Sequence, residues 1–300
     1  MTADPAELAA FGRRYRRFLR LASLVPILPM YWRLDAARML GRWASPYRLK
    51  AKPLAEAMAA ALDYDAAATR QALDDWLANH GLAAATLFAF TPGRRGWLER
   101  LVHVADATML AELASNPGLV LTAHCQHQNL LAAWLGRACG NMNPLAASAE
   151  QSPLYPWIGP YIDRLNRDSA AWFGTGRYLF LDRRHGALRT MHALLETGGW
   201  VLALCDTHAP SADAGPAGQL FGRRIQPPQG AIRAAIRHRR PIYAGLMTPE
   251  AHGLSLHLVR LAGVSPAQVV SEYCQFLESH LRLRPEAWQG WEWWPSLPPA

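Results

Sequence analysis

A histidine placed directly after a buried strand is positioned to act as a general base, and this sequence contains one. The short apolar run Gly118-Leu-Val-Leu-Thr122 leads into Ala123-His124-Cys-Gln-His-Gln-Asn129. An imidazole can take a proton from a hydroxyl or an amine near neutral pH. A helix opening after His124 would add backbone amides for a developing oxyanion; a histidine that only caps such a helix would leave the same pattern. Two further polar clusters end apolar runs. Trp200-Val-Leu-Ala-Leu-Cys205 stops at Asp206-Thr207-His208, and the loop Gln219-Leu-Phe221-Gly222-Arg223-Arg224 precedes Pro227-Pro228. Other chemistries lack their residues. There is no Gly-x-Ser-x-Gly for a serine nucleophile and no phosphate-binding glycine loop; Gly174-Thr-Gly176 is too short for one. Cys125, Cys139, Cys205 and Cys274 form no Cys-x-x-Cys pair, so buried free thiols are expected, with no metal site and no cofactor.

Positioning these groups takes a sheet. From about residue 100 short apolar runs alternate with helical patterns. Strands are expected over 118–122, 144–148, 171–173 and 200–205, with 241–247 and 254–261 as a pair. Helices are expected over 129–139, up to Arg167, from Asp182 to Thr197 with Gly198-Gly199 as its stop, over 228–239 and over 265–281. This alternation predicts an α/β fold with a mostly parallel central sheet flanked by helices. The chemistry of such sheets gathers at the carboxyl ends of the strands. The first third reads as helical, with Leu54, Met58, Ala61 and Leu62, then Ala72, Leu73, Trp76 and Leu77, recurring at spacings of three and four.

The charge is uneven. Residues 1–52 hold eleven Arg and Lys against Asp4, Glu7 and Asp35, which accounts for the whole net charge of +8. The basic run Arg13 to Arg20 leads into the apolar stretch Leu21 to Trp32. That stretch is too short to span a bilayer, and Pro26 and Pro29 break it. Basic residues beside apolar and aromatic ones fit an anionic membrane surface; a solvated basic helix face is the plainer reading. The 51% hydrophobic and 18% charged content exceeds what a freely soluble enzyme needs but is too polar for a multispanning protein. No nucleic-acid-binding motif is present. The expected organisation is a basic and apolar membrane-associating segment over residues 1–50, then a single α/β domain over residues 51–300.

Over residues 12–294 the chain resembles the bacterial lipid A lauroyl/myristoyl acyltransferases, within the lysophospholipid acyltransferase superfamily. The resemblance rests on ordered features: the N-terminal anchor and helical region, Gly118-Leu-Val-Leu-Thr-Ala-His124, Leu195-Glu196-Thr-Gly198-Gly199-Trp-Val-Leu-Ala-Leu-Cys-Asp206, Leu220-Phe221-Gly222 with Gly230-Ala231 after it, and Arg284-Pro285-Glu286-Ala287-Trp288-Gln289-Gly290-Trp291. It implies an enzyme at the cytoplasmic face of the bacterial inner membrane. Its donor would be acyl carrier protein or acyl-CoA, and its acceptor a lipid or other amphiphile bearing a hydroxyl or amine. His124 would be the base.

The family's His-x4-Asp/Glu motif departs here, because Asn129 stands where the acid belongs; His127 cannot substitute, since Ala132 lies five residues on. Asp206, Glu196 and Asp182 are the candidate replacements, and a non-catalytic binding protein is the alternative that Asn129 raises. The ending departs too, with Glu292-Trp293-Trp294 in place of the family's His and Arg. Arg164, Arg167 and Arg223 are candidates to grip an anionic acceptor or the donor's phosphate. Phe221 and Gly222 come with them as the family's loop. Trp134, Trp157, Trp172 and Trp200 would line an acyl groove or simply fill the core, and Cys125 is a candidate for a covalent acyl intermediate.

Overall fold

The computed structural model describes residues 4–181, 184–206, 215–227 and 229–300. Asp4 caps α1 (Pro5–Ala22) by accepting the Ala6 N–H, and Pro5 occupies the first turn, where a missing amide costs nothing. This helix buries Phe11, Phe18, Leu19 and Ala22 and leaves Arg13, Arg14, Arg16, Arg17 and Arg20 exposed. Pro26 lies in a 3-10 turn (Val25–Ile27), and Pro29 precedes α2 (Met30–Ala44), so the apolar stretch breaks at its prolines. Among the described residues no helix is long and apolar enough to cross a membrane.

α3 (Ala51–Leu62) leads into α4 (Ala66–Leu87), whose first amides are capped by Asp65. Residues Trp76 to Thr86 of α4 are buried without a break, as a helix enclosed on all sides requires. α2 crosses it at two glycines. A Cβ on Gly41 would meet the Leu77 carbonyl oxygen and one on Gly81 that of Ala37, so the two backbones touch.

The sheet follows. α5 (Arg95–Leu101), β1 (Val102–Val104) and α6 (Ala107–Ser115) precede β2 (Leu119–Thr122). Then come α7 (Gln128–Cys139), β3 (Met142–Ala146), α8 (Tyr155–Ala170), β4 (Leu179–Phe180), α9 (Arg184–Thr197) and β5 (Trp200–Leu204). β6 (Gly218–Leu220) and β7 (Arg223–Ile225) form a separate hairpin; α10 (Gly230–Arg237), β8 (Ile242–Glu250), β9 (Gly253–Leu261) and α11 (Pro266–Leu283) complete the order. Asp182 and Pro228, expected as the first residues of two helices, lie outside the described residues.

Among the described residues seven strands form one sheet in the order β1-β9-β8-β2-β5-β3-β4. Every neighbouring pair is parallel except β8 and β9, an antiparallel hairpin. The architecture is therefore the α/β fold with a mostly parallel sheet flanked by helices. Side chains alternate across it. Leu119, Leu121, Val201, Ala203, Ile242, Ala244 and Leu246 enter a core with α3, α9, α10, α11 and the C-terminal tryptophans. Val120, Trp200, Leu202, Tyr243 and Met247 enter another with α5, α6 and α7.

One expected strand is absent. Ala171-Trp172-Phe173 is a turn, because α8 runs on to Ala170 and the two aromatic residues fold back into the core. The Trp172 indole N–H donates to the Phe90 carbonyl there, which satisfies its polar atom without a sheet ladder.

Candidate active site

The site is set by strand register. β2 and β5 run side by side in parallel, with Thr122 opposite Leu204. Two residues beyond each strand end, the same pairing places His124 beside Asp206. The Cys205 N–H continues the ladder to the Thr122 carbonyl at 2.8 Å. The Asp206 carboxylate is fully buried and makes three hydrogen bonds. Its Oδ1 pairs with His124 Nδ1 at 2.6 Å, and its Oδ2 accepts the His124 backbone N–H at 3.0 Å. The Trp288 indole N–H also donates to Oδ2, at 2.7 Å. A carboxylate out of water needs this saturation.

His124 is the exposed partner, its side chain 29% accessible. Burial pushes its pKa down, but the charge of Asp206 and the hydrogen bond to it push harder, and the net result lies above the ordinary 6.5. With Nδ1 held by the carboxylate, Nε2 is the nitrogen left to exchange a proton. The other histidine of the motif has a different fate. His127 is buried, its Nε2 sits 2.8 Å from Asn79 Oδ1, and burial lowers its pKa to about 3, so it stays neutral. Cys125 is wholly buried, and burial raises its thiol to about 12. It therefore lacks the thiolate that an acyl intermediate needs.

The C-terminal segment straps the histidine loop in place. The Gln289 N–H donates to the His124 carbonyl at 2.8 Å, and the Gln126 N–H donates to that of Ala287 at 2.9 Å. Trp76 Nε1 donates to the Trp288 carbonyl at 2.7 Å. Trp293 meets the His124 ring edge to face, with centroids 5.5 Å apart. A side chain at Gly290 would collide with the Trp288 indole, so the chain can turn here only on glycine.

His124 opens onto a cavity of about 360 Å³, which is within the size range of small-molecule sites. Its apolar wall comes from Leu19 of α1, Ala83, Ala84 and Leu87 of α4, Ile158, Ile162 and Leu165 of α8, and Leu202 and Leu204 of β5. Its polar side near His124 carries Gln126, Gln128, Asn129 and Gln289. Asn129 thus shares the site with His124 and Asp206, facing the cavity while Asp206 holds the imidazole.

The remaining candidates lie elsewhere. Phe221 and Gly222 are the two central residues of the β6–β7 hairpin, both with positive φ (50° and 68°), which matches the primed turn of a two-residue hairpin. Phe221 packs on Trp288 and Trp291, behind Asp206. Arg223 donates to the Leu297 carbonyl at 3.0 Å and covers the Trp294 ring. Arg164 and Arg167 lie on α8, beside Asp168 at 3.2 and 3.9 Å, and are not among the cavity's lining residues. The same holds for Trp134, Trp157, Trp172 and Trp200; Trp172 and Trp200 are core residues. Glu196 is engaged through its carbonyl by Arg240, away from His124. Asp182, Thr207 and His208 lie outside the described residues.

Sequence reasoning passed over the buried carbonyl of Gln126, the cavity wall formed by α1 and α4, and the direct bond from Trp288 to Asp206. The last had a signal, since the tryptophan-rich ending was already conspicuous.

No family model matches the chain, and no curated protein does. Among solved structures, the chain matches the 1-acyl-sn-glycerophosphate acyltransferase of Thermotoga maritima at 15% identity, with a TM-score of 0.36, covering 79% of this chain and 96% of that one.

Proposed function

We propose that this protein is an acyltransferase that moves a fatty acyl group from a thioester to a hydroxyl or amine of an amphiphilic acceptor. The observation that carries the reading is the His124–Asp206 pair, held by a buried hydrogen-bond set, at the polar side of a cavity that also has an apolar wall. Asp206 accepts the Nδ1–H hydrogen bond, which keeps that proton on the ring, and stabilises the imidazolium as it forms, the role of the carboxylate in other His–acid pairs. His124 Nε2 takes the acceptor's proton. The freed oxygen or nitrogen forms its bond to the acyl carbon, the C–S bond breaks, and the thiolate leaves with the proton returned by His124. The donor is acyl carrier protein or acyl-CoA, and the apolar wall suits its chain.

Asn129 had raised a protein that binds without catalysing. The Asp206 carboxylate argues against it, because a charged partner for His124 is supplied from the neighbouring strand. The ordered motifs of the lipid A acyltransferases fit the same chemistry.

The N-terminal region supports work at an anionic membrane surface, which in a bacterium is the cytoplasmic face of the inner membrane. Arg13, Arg14, Arg16, Arg17 and Arg20 are exposed on α1, and Leu24, Ile27, Tyr31, Trp32, Met39 and Trp43 are exposed nearby in sequence. The same α1 contributes Tyr15 and Leu19 to the cavity, so acceptor and membrane would meet at one helix.

The test is acyl transfer from long-chain acyl carrier protein or acyl-CoA to a bacterial lipid extract. Wild type is expected to form an acylated product and His124→Ala to form none. Equal product from both proteins would remove His124 from the chemistry and end this reading.

A further inference from the structure

The polar side of the cavity indicates what kind of acceptor the site takes, on the reading that His124 transfers an acyl group. Gln126 is 5% exposed. Its Nε2 donates to the Trp76 carbonyl at 3.1 Å and to that of Glu286 at 3.3 Å, which fixes the carboxamide's orientation. Its Oε1 is then left buried with no hydrogen-bond partner among the described residues. Gln128 Oε1 is buried and unpartnered as well, and both residues line the cavity beside His124 and Asn129. An unpaired buried carbonyl costs free energy until a donor reaches it.

Charge supports the same conclusion. Among the described residues, the cavity lining contains no Arg and no Lys. A phosphate there would lose its water without gaining an Arg or Lys partner, and the carbonyl oxygens of Gln126 and Gln128 would repel its own.

We infer that the acceptor presents an uncharged, hydrogen-bond-donating head to this site: a hydroxyl- or amide-bearing amphiphile with no phosphate beside the reacting group. One O–H or N–H goes to His124 Nε2. A second is received by the unpartnered carbonyl of Gln126 or of Gln128. Asn129, relieved of orienting the imidazole, adds a carboxamide that both donates and accepts.

The experiment separates binding from chemistry. His124→Ala protein is titrated calorimetrically, below micellar concentrations, with mono-octanoylglycerol and with the octanoyl lysophosphatidate of equal chain length. The uncharged ligand is expected to bind at least about tenfold tighter, and Gln126→Leu in the same background to weaken it about tenfold, the size of one lost hydrogen bond. Gln128→Ala, at the first turn of α7 and outside the strap contacts, is expected to act in the same direction. It serves if Gln126→Leu does not fold. Tighter binding of the phosphate-bearing ligand, or an uncharged ligand indifferent to the folded carboxamide variants, overturns the inference. Wild-type turnover with the same two acceptors tells the two claims apart. Faster transfer to lysophosphatidate leaves acyl transfer standing and removes this inference, whereas turnover of neither removes acyl transfer and leaves the titration to decide the ligand class.

Discussion

At the scale of the residue, the pairing of His124 with Asp206 sets the expected pH dependence. The base form appears above a pKa that lies higher than 6.5, so the rate should climb with pH through that value. Asp206→Asn removes the upward push and leaves the burial. The inflection should therefore move to lower pH while the rate falls by roughly 10²–10⁴-fold. A pH–rate profile of both proteins checks this. The same pairing contributes to stability in a definite window. A native pKa raised above the unfolded value gives stabilisation that is complete below about pH 6.5 and is lost as pH rises through the native value. Trp288→Phe keeps most of the packing and deletes one donor to Asp206 Oδ2; a loss of about 1–3 kcal/mol in urea unfolding is expected, as for a buried acceptor losing a partner. His124 and Asp206 were legible as strand-end residues, but their partnership was not. Eighty-odd residues separate them, and only the parallel register brings them together. Gln126 was illegible for a related reason, since its orphaned carbonyl exists only because Trp76 and Glu286 occupy its amide.

Elements were read more easily than their contacts. Ten of the expected α/β elements fall within a few residues of β2, α7, β3, α8, α9, β5, α10, β8, β9 and α11, because each carries its own period and its own breakers. The strand expected at Trp172 failed because an apolar triplet after a helix has no period, and burial by folding back gives the same pattern. Helix crossings leave weaker marks. Gly41 and Gly81 look incidental in sequence, yet they permit the contact of α2 with α4. Gly41→Ala is expected to cost about 1–3 kcal/mol, measurable as a lowered melting temperature, since overpacking there meets backbone and not a movable side chain. His80 of α4 shows how these helices respond to acid. It is buried, its Nδ1 lies 3.0 Å from Ser45 Oγ, and burial lowers its pKa to about 3. The unfolded chain binds that proton near pH 6.5, so stability should fall as pH drops from there toward 3, by about 1.4 kcal/mol per pH unit for each such histidine. Unfolding of His80→Gln across that range should show a slope shallower by one proton.

At the scale of the molecule, the basic arginines and the exposed aromatic residues belong to the same N-terminal region. Tyr31 and Trp43 are 74% and 76% exposed, which is unusual for side chains of their size in a structure with a well-filled core. Trp32→Ser with Trp43→Ser should weaken binding to anionic vesicles by about tenfold or more, and added salt should weaken the wild type further. Unchanged vesicle binding in the double variant would detach this region from the membrane. The composition and charge asymmetry made this region legible, whereas the cavity that α1 helps to wall was not, because α1, α4, α7, β3, α8 and β5, far apart in the chain, all contribute to it. The parallel pairing of β2 with β5 has a further consequence, for descent. It hands the acid to a second strand and so splits two jobs that a contiguous His-x4-acid motif must perform together. On the proposed reading, the cavity-facing positions Gln128 and Asn129 can then drift toward new acceptors without disarming the base, and a lineage built this way can change what it modifies faster than it changes how.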